Sequence, residues 1–402
     1  MKSRYSKVPM KSLTEQIRGV TYKESDLSVA LDSDHKPVLR ANNIVDGKIE
    51  FDDLVFVSNK NIKGNQLVRE GDIIIAASSG SKNIVGKAAQ FLRDYEVSFG
   101  AFCKIIRPNS GVNHKYLGYY FQSSYYRYII SNLSNGANIN NIRNEHINNL
   151  RVPLPPLQTQ KEIVEVLDKA QELIDLRKKQ IELLDNLIQS VFYDMFGDPV
   201  TNPMGWEVKR IGDLSELVTG NTPSRKIDEY YGDYIDWIKS GNINTSDVYI
   251  TSAKERLSKS GADVGRVVDE KTILMTCIAG SLDCIGNVAI TDKRVAFNQQ
   301  INAIIPLNSD VYFMYVLMLV SKKYIQKAST NSMKGMLSKG KLSELTFIVP
   351  NKDLQDVFGE IFFKYYKQKQ LMQQSLTEME NNFNSLMQRA FKGELFLDEE
   401  VS

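Results

Sequence analysis

"VPLPPLQTQ", residues 152–160, ends one kind of sequence and starts another. Its prolines cannot sit inside a helix, and the charged, apolar-periodic run "KEIVEVLDKAQELIDLRKKQIELLDNLIQSVFYDMF" follows at once. The same arrangement returns 195 residues later, where "IVPNKDLQD" (348–356) stands before a second such run. Stepping alternately by four and three from Ile163 meets Leu167, Ala170, Ile174, Arg177, Ile181, Leu184, Ile188, Val191 and Met195. The second run, shifted by 195, gives Phe358, Phe362, Tyr365, Lys369, Met372, Leu376, Met379, Phe383, Leu386 and Ala390. Only Arg177 and Lys369 break the apolar seam, and a sustained 3.5-residue spacing of this kind predicts a coiled coil. The alternative, two amphipathic helices packed on their own domains, shares the same periodicity. Connectivity sends the second helix back along the first, so the pair is expected to be antiparallel. Residues 157–196 as helix would span about 60 Å at about 1.5 Å per residue and hold two domains apart.

The repetition extends to the segments before each junction. "PVLRANNI" (37–44) answers "DWIKSGNI" (236–243), and "GDIIIAASSGSKNIVGKAA" (71–89) answers "KTILMTCIAGSLDCIGNVA" (271–289), with Gly80, Ser81 and Gly86 on Gly280, Ser281 and Gly286. "VSF" (97–99) answers "VAF" (295–297), and all offsets lie between 195 and 201, as an internal duplication requires. Within each copy, short β-branched runs alternate with Gly, Asn and Asp turns, and "YLGYYFQSSYYRYII" (116–130) and "YFMYVLMLVSKKYIQ" (312–326) read as helices. The expected fold class is α+β: two similar mixed α/β globules separated by two long helices, with an internal pseudo-twofold repeat. The boundaries read as a first domain over 1–153, a helical region over 154–198, a second domain over 199–350, a second helical region over 351–395 and an acidic tail over 396–402.

The 402 residues carry a net charge of +2, which conceals a division along the chain. Residues 1–150 hold 20 Lys and Arg against 14 Asp and Glu, and 200–350 hold 18 against 16, whereas the periodic runs at 157–199 and 351–402 are acidic, at 5 against 9 and 6 against 9. A polyanion should therefore meet the domains and not the helices. No stretch suggests a membrane span or a signal core, so a cytoplasmic protein with no membrane partner is expected. Cys103, Cys277 and Cys284 offer neither a disulfide framework nor a zinc knuckle, and His35, His114 and His146 are scattered.

Two similar basic domains held by a rigid rod match double-stranded DNA carrying two half-sites a fixed distance apart. The stretches "GDIIIAASSGSKNIVGKAA" and "AGSLDCIGNVAITDKRVAFNQQINAIIP", followed by "LPPLQTQKEIV" and a long helix, resemble the specificity subunits of type I restriction-modification systems, from about Val8 to about Leu395. The junction is intact at Leu154–Gln160 but reduced in the second copy to "VPNKDLQ", where Pro350 and Gln355 remain. The resemblance implies two target recognition domains and a non-catalytic role without cofactor. It also implies partnership with two methyltransferase subunits and with restriction/translocase subunits in DNA methylation and cleavage. The residues agree that chemistry lies elsewhere. "TNPMGW" (201–206) lacks the second proline of an adenine methyltransferase loop, and "GSKNIVGKA" (80–88) has the wrong glycine spacing for a phosphate loop. The competing readings are a coiled-coil scaffold that reads no DNA and a stand-alone modification enzyme.

Base readout calls for Arg or Lys toward guanine and Asn or Gln toward adenine, presented on loops. Three regions recur as candidates. Arg40, Asn42 and Asn43 are answered by Lys239, Ser240 and Asn242; Ser78, Ser79, Ser81, Lys82 and Asn83 by Ser281; and Asn138, Asn140, Asn141 and Arg143 by Lys334, Lys339 and Lys341. Such residues also form turns for purely local reasons. The tyrosines at 116, 119, 120, 125, 126 and 128 suit a core or rod-facing surface better than a stacking platform. Leu173, Leu183, Leu187 and Phe192 fall outside the seam and are expected to face partner helices.

Overall fold

Each junction is a clamp built around one buried glutamine. Gln160 donates from Nε2 to the carbonyl of Pro155 at 2.9 Å and accepts the Asn113 N–H on Oε1 at 2.8 Å. Gln355 does the same with Pro350 at 2.8 Å and Asp310 at 3.1 Å. Both side chains are 1–2 % exposed, and these bonds give the nitrogen and the oxygen of each buried amide a partner. Asn113 and Asp310 are themselves N-caps, their side chains accepting from Tyr116 and from Tyr312 and Phe313. The clamp thus ties the start of each long helix to the start of its domain's aromatic helix. It also explains which junction residues survive in the reduced second copy, namely the proline carbonyl and the glutamine.

The computed structural model describes residues 4–81, 83–135, 141–245, 247–329 and 335–396, with the backbone alone for 133–135. It contains a 40-residue helix, Leu157–Phe196, and a 41-residue helix, Lys352–Lys392. The chain divides into two compact units, 1–177 with 375–402, and 178–374, so each long helix contributes one half to each unit. All twenty seam positions are buried or half-buried. In unit 2 the Tyr365 hydroxyl donates to Asp185 at 2.5 Å, the Lys369 ammonium lies 2.7 Å from the same carboxylate, and the rings of Phe192 and Phe196 lie 5.5 and 5.6 Å from Phe358. Rising numbers on one helix meet falling numbers on the other, so the pair is antiparallel there. Unit 1 shows the same sense: Tyr116 donates to Pro153 at 2.7 Å with its ring 5.1 Å from Phe391, while Tyr119 donates to Asp168 at 2.6 Å with its ring 6.1 Å from Phe383. Lys369, the charged interruption of the second seam, is held by Asp185.

The two units share a sheet order. Unit 1 orders its main sheet Thr14–Arg18, Cys103–Pro108, Ile73–Ala76, Ala88–Gln90; unit 2 orders Ser215–Thr219, Ile301–Pro306, Ile273–Thr276, Val288–Ile290, all pairs antiparallel. Continuous apolar runs suit these central strands because both faces are covered. Ile73 and Ile75 face the core shared with the helices, while Ile74 and Ala76 face a second core against the other sheet. Ile273 and Met275 alternate with Leu274 in the same way. That other sheet pairs His35–Leu39 in parallel with Ser98–Phe99, and Tyr231–Ile238 in parallel with Val295–Phe297.

Each aromatic stretch forms two helices. His114–Gln122 ends at Ser123, whose hydroxyl bonds back to the Tyr120 carbonyl at 2.6 Å, and Ser124–Asn135 follows. Val311–Val320 likewise gives way at Ser321 to Lys322–Lys327. Tyr116, Tyr119, Tyr120 and Tyr126 are buried, with Tyr116 tilted against Phe391 and Tyr120 edge-on to it, whereas Tyr128 is exposed. Phe192 corrects the sequence expectation: it is fully buried, lying 5.7 Å from Phe313 in the unit 2 core. Leu173, Leu183 and Leu187 are more than half exposed. Among the described residues no helix is long and apolar enough to cross a membrane.

Candidate nucleic-acid interface

The second and third candidate regions are brought together in both units by backbone pairing. In unit 1, Ser78 bridges Asn141 antiparallel and the Ile142 N–H donates to the Ala77 carbonyl at 2.6 Å. In unit 2, Ile278–Ala279 pairs with Gly335–Met336, and the Leu337 N–H donates to the Cys277 carbonyl at 2.8 Å. A short helix begins directly afterwards in each case. Arg143 precedes Asn144–Asn148, and Ser338 caps Lys339–Glu344 by accepting from the Lys341 N–H at 3.2 Å. Arg143, Lys339 and Lys341 are all exposed beside the bridge, with Arg143 3.5 Å from Glu145. Ser81, Asn83, Asn141 and Ser281 are exposed too, and Ser79 and Ser281 accept N–H groups within their own turns. Lys82, Asn138, Asn140 and Lys334 lie outside the described residues.

A three-residue loop joins this cluster to the first region, and it did not stand out in the sequence. Gly100 donates its N–H to Leu39 at 2.9 Å, while the Phe102 carbonyl accepts from Ala77 and Ser78 at 2.8 and 3.0 Å. Asn298 donates to Ile238 at 3.0 Å, while the Gln300 carbonyl accepts from Cys277 and Ile278 at 2.8 and 3.1 Å. Residues 100–102 and 298–300 therefore occupy one and the same place. "GAF" and "NQQ" share no residue, so only these long-range bonds reveal the correspondence. Glycine is required nearby: a Cβ on Gly19 would strike the Gly100 carbonyl oxygen, and one on Gly220 would strike that of Asn298.

The first region is a matched pair of turns. Asn43 accepts the Arg40 N–H on Oδ1 at 2.8 Å and donates to the Asp52 carbonyl at 2.6 Å; Asn242 accepts the Lys239 N–H at 3.0 Å and donates to the Ser252 carbonyl at 3.0 Å. Both amides build the turn, and Asn43 is 2 % exposed. The cations beside them meet carboxylates. Arg40 lies 2.6 Å from Asp53, which also takes Asn42 at 3.1 Å, and Lys239 pairs with Glu255, which Arg225 approaches at 2.6 Å. The Lys239 ammonium, followed by the Arg225 guanidinium, holds the Glu255 carboxyl below its ordinary range. Ser240 donates to Gln300 at 3.4 Å, linking turn to loop. In unit 1 the half-buried Lys104 anchors the third region, donating to the Ile142 carbonyl and to Asn144 at 2.9 and 2.6 Å; burial and then Arg18 lower its pKa.

This geometry has relatives. The type I restriction modification DNA specificity domain matches twice, over residues 4–186 and 203–381. The chain belongs to that family. It is 30 % identical over 421 residues to the EcoKI specificity subunit of Escherichia coli strain K12, covering 96 % of this chain and 88 % of that one. It is 28 % identical to the StySPI specificity subunit of Salmonella potsdam, covering 97 % and 89 %. A structure described as showing complex assembly and conformational transition of the type I R-M system shares the fold with a TM-score of 0.60 at 15 % identity, covering 97 % of this chain and 98 % of that one. The S subunit of M. genitalium does so at 0.52 and 15 %, covering 97 % and 96 %. Two similar α+β domains joined by long helices are thus the architecture of a specificity protein, with one family match per copy. Within it, Cys103 and Cys277 are buried free thiols whose pKa burial pushes up to about 12 and about 11. Neither is poised as a nucleophile.

Proposed function

We propose that this chain reads DNA for a type I restriction-modification assembly: each domain recognises one half of a bipartite double-stranded site through its loop cluster, and the long helices fix the spacer. The observation that carries the reading is that one loop cluster recurs in both domains on the same backbone bonds but with different side chains. A single copy would serve a single site; two differing copies serve two different half-sites. The helices dock two methyltransferase subunits, to which restriction/translocase subunits add. Leu173, Leu176, Leu183 and Leu187, more than half exposed along the first long helix, supply apolar surface for that docking. The chain is non-catalytic, takes no cofactor of its own and works in the cytoplasm on DNA, with no membrane partner. Replacing residues 205–345 by the matching segment of another family member, in the complete complex, should change one half of the methylated motif and leave the other half and the spacer intact. Methylome sequencing reads this directly, and both halves changing together would defeat the reading.

A further inference from the structure

The centre of the loop cluster presents opposite chemistry in the two domains. In unit 1 the loop is Gly100–Ala101–Phe102, and Phe102 is 69 % exposed, more than any other phenylalanine among the described residues. Its backbone is pinned by the N–H groups of Ala77 and Ser78, and its loop neighbours are a glycine and an alanine, so nothing beside it in the loop can cover the ring. Unit 2 carries Gln300 at the position of Phe102, accepting from Asn298 at 3.1 Å, and Gln299 at the position of Ala101, exposed and accepting the Thr222 hydroxyl.

Scattered surface hydrophobics are ordinary, and exposure alone would say nothing. The position is what matters here. Phe102 stands where the turn at Arg40, the loop at Ser78 and the bridge at Asn141 converge, and the duplicated domain fills that place with a hydrogen-bonding side chain. We propose, resting on the DNA-reading function above, that this loop is a specificity-determining position in both domains. Phe102 packs on the 5-methyl group of a thymine in the major groove of its half-site, and Gln299 hydrogen-bonds an adenine edge in the other. Major-groove chemistry supports both assignments: an apolar side chain distinguishes thymine by its methyl group, and glutamine pairs with N6 and N7 of adenine.

The test uses the complete complex with two methyltransferase subunits and a duplex bearing the motif determined by methylome sequencing. Each thymine is replaced in turn by deoxyuridine, and each adenine by 7-deazaadenine, in competition binding. One uracil should weaken wild-type binding about fivefold or more, at the low end of the discrimination expected for one base contact. Phe102→Ala should bind the thymine and uracil duplexes equally. Gln299→Ala should abolish the 7-deazaadenine effect at one adenine, in the opposite half-site. Phe102→Gln should relax or change one base pair of the methylated motif only. The proposal is overturned if the wild type ignores every uracil, if Phe102→Ala keeps the sensitivity, or if both residues act on the same half-site. A complex that shows no sequence preference at all would instead refute the DNA-reading function beneath it. Phe102 is a surface residue, so thermal unfolding equal to wild type verifies that the variants fold.

Discussion

The two domains keep the same backbone and solve the same interior problem differently. Immediately before the central strand, unit 1 buries Asp72, 1 % exposed, in a two-pronged pair with Arg107 at 2.8 and 2.7 Å. Unit 2 places Thr272 and Ile305 there, with the Thr272 N–H on the Thr291 hydroxyl at 2.9 Å. By contrast, the glutamine clamp, the positive-φ glycines Gly86 and Gly286, and the asparagine turns are common to both. What both copies retain are devices that fix backbone, and what differs are side chains that only need to fill space or face outward. Duplication has left the frame alone while the contents diverged.

The largest effect should come from breaking the unit 1 ion pair. Arg107→Leu leaves Asp72 charged and buried, at a cost of about 3–5 kcal/mol. Adding Asp72→Thr, with isoleucine at 107, imitates unit 2 and should recover most of that loss, because both charges then leave together. Hydrogen exchange resolved by domain is the proper measurement, since a chain of two units need not unfold in one step. Exchange in unit 2 should be unaffected by either variant. A double variant no better than Arg107→Leu would mean that the pair does more than satisfy itself.

The glycine pair sharpens the comparison next. Gly86 and Gly286 share φ of +79, so alanine is strained at both. A Cβ at Gly86 would also come within 2.5 Å of Ile130, whereas at Gly286 the nearest atom is 3.4 Å away on the flexible Lys322. Gly86→Ala should cost about 2–4 kcal/mol and Gly286→Ala about 1–2 kcal/mol, the difference being the overpacking in unit 1. Equal losses in thermal unfolding would show that Ile130 moves aside.

Much of this frame was legible beforehand, for identifiable reasons. The seam from Ile163 to Met195 declares itself because burial repeats with the period of the helix, and the runs at 73–76 and 273–276 because strands covered on both faces are apolar without a break. The clamp did not, because Gln160 finds its partner at Asn113, 47 residues away. The prolines drew attention while the glutamine did the joining. Phe192 misled because the 3.5-residue step leaves it beside the seam, yet Phe196, Phe313 and Phe358 close over it from the domain core. The central loop stayed hidden since "GAF" is an unremarkable turn until Leu39 and Ala77 are known to meet it. If the clamp is the shared hinge of the two copies, Gln160→Ala and Gln355→Ala should cost similar amounts, about 1–3 kcal/mol each, by leaving a buried N–H and a buried carbonyl without partners. The amides of Asn113 and Asp310 should exchange faster in the respective variant. Loss in one copy alone would mark the reduced junction as ornamental.

The smallest expected effect separates turn builders from readers. Asn43 and Asn242 were candidates for base contact because their side-chain chemistry suits adenine, yet in each unit the amide is committed to the turn, to Arg40 and Asp52 in one and to Lys239 and Ser252 in the other. Asn43→Ala and Asn242→Ala should therefore lower stability by about 1 kcal/mol, the ordinary worth of such a capping bond, in the domain that carries the change. The methylated motif should stay the same at every position, because a side chain turned inward cannot touch a base without dismantling its own turn. Some loss of affinity is expected, spread evenly over sites, since Arg40 and Lys239 take their direction from that turn. Methylome sequencing of the two variants beside Phe102→Gln makes the contrast explicit. A motif altered at one base by Asn43→Ala would mean that the turn opens on DNA and that its asparagine is a reader after all.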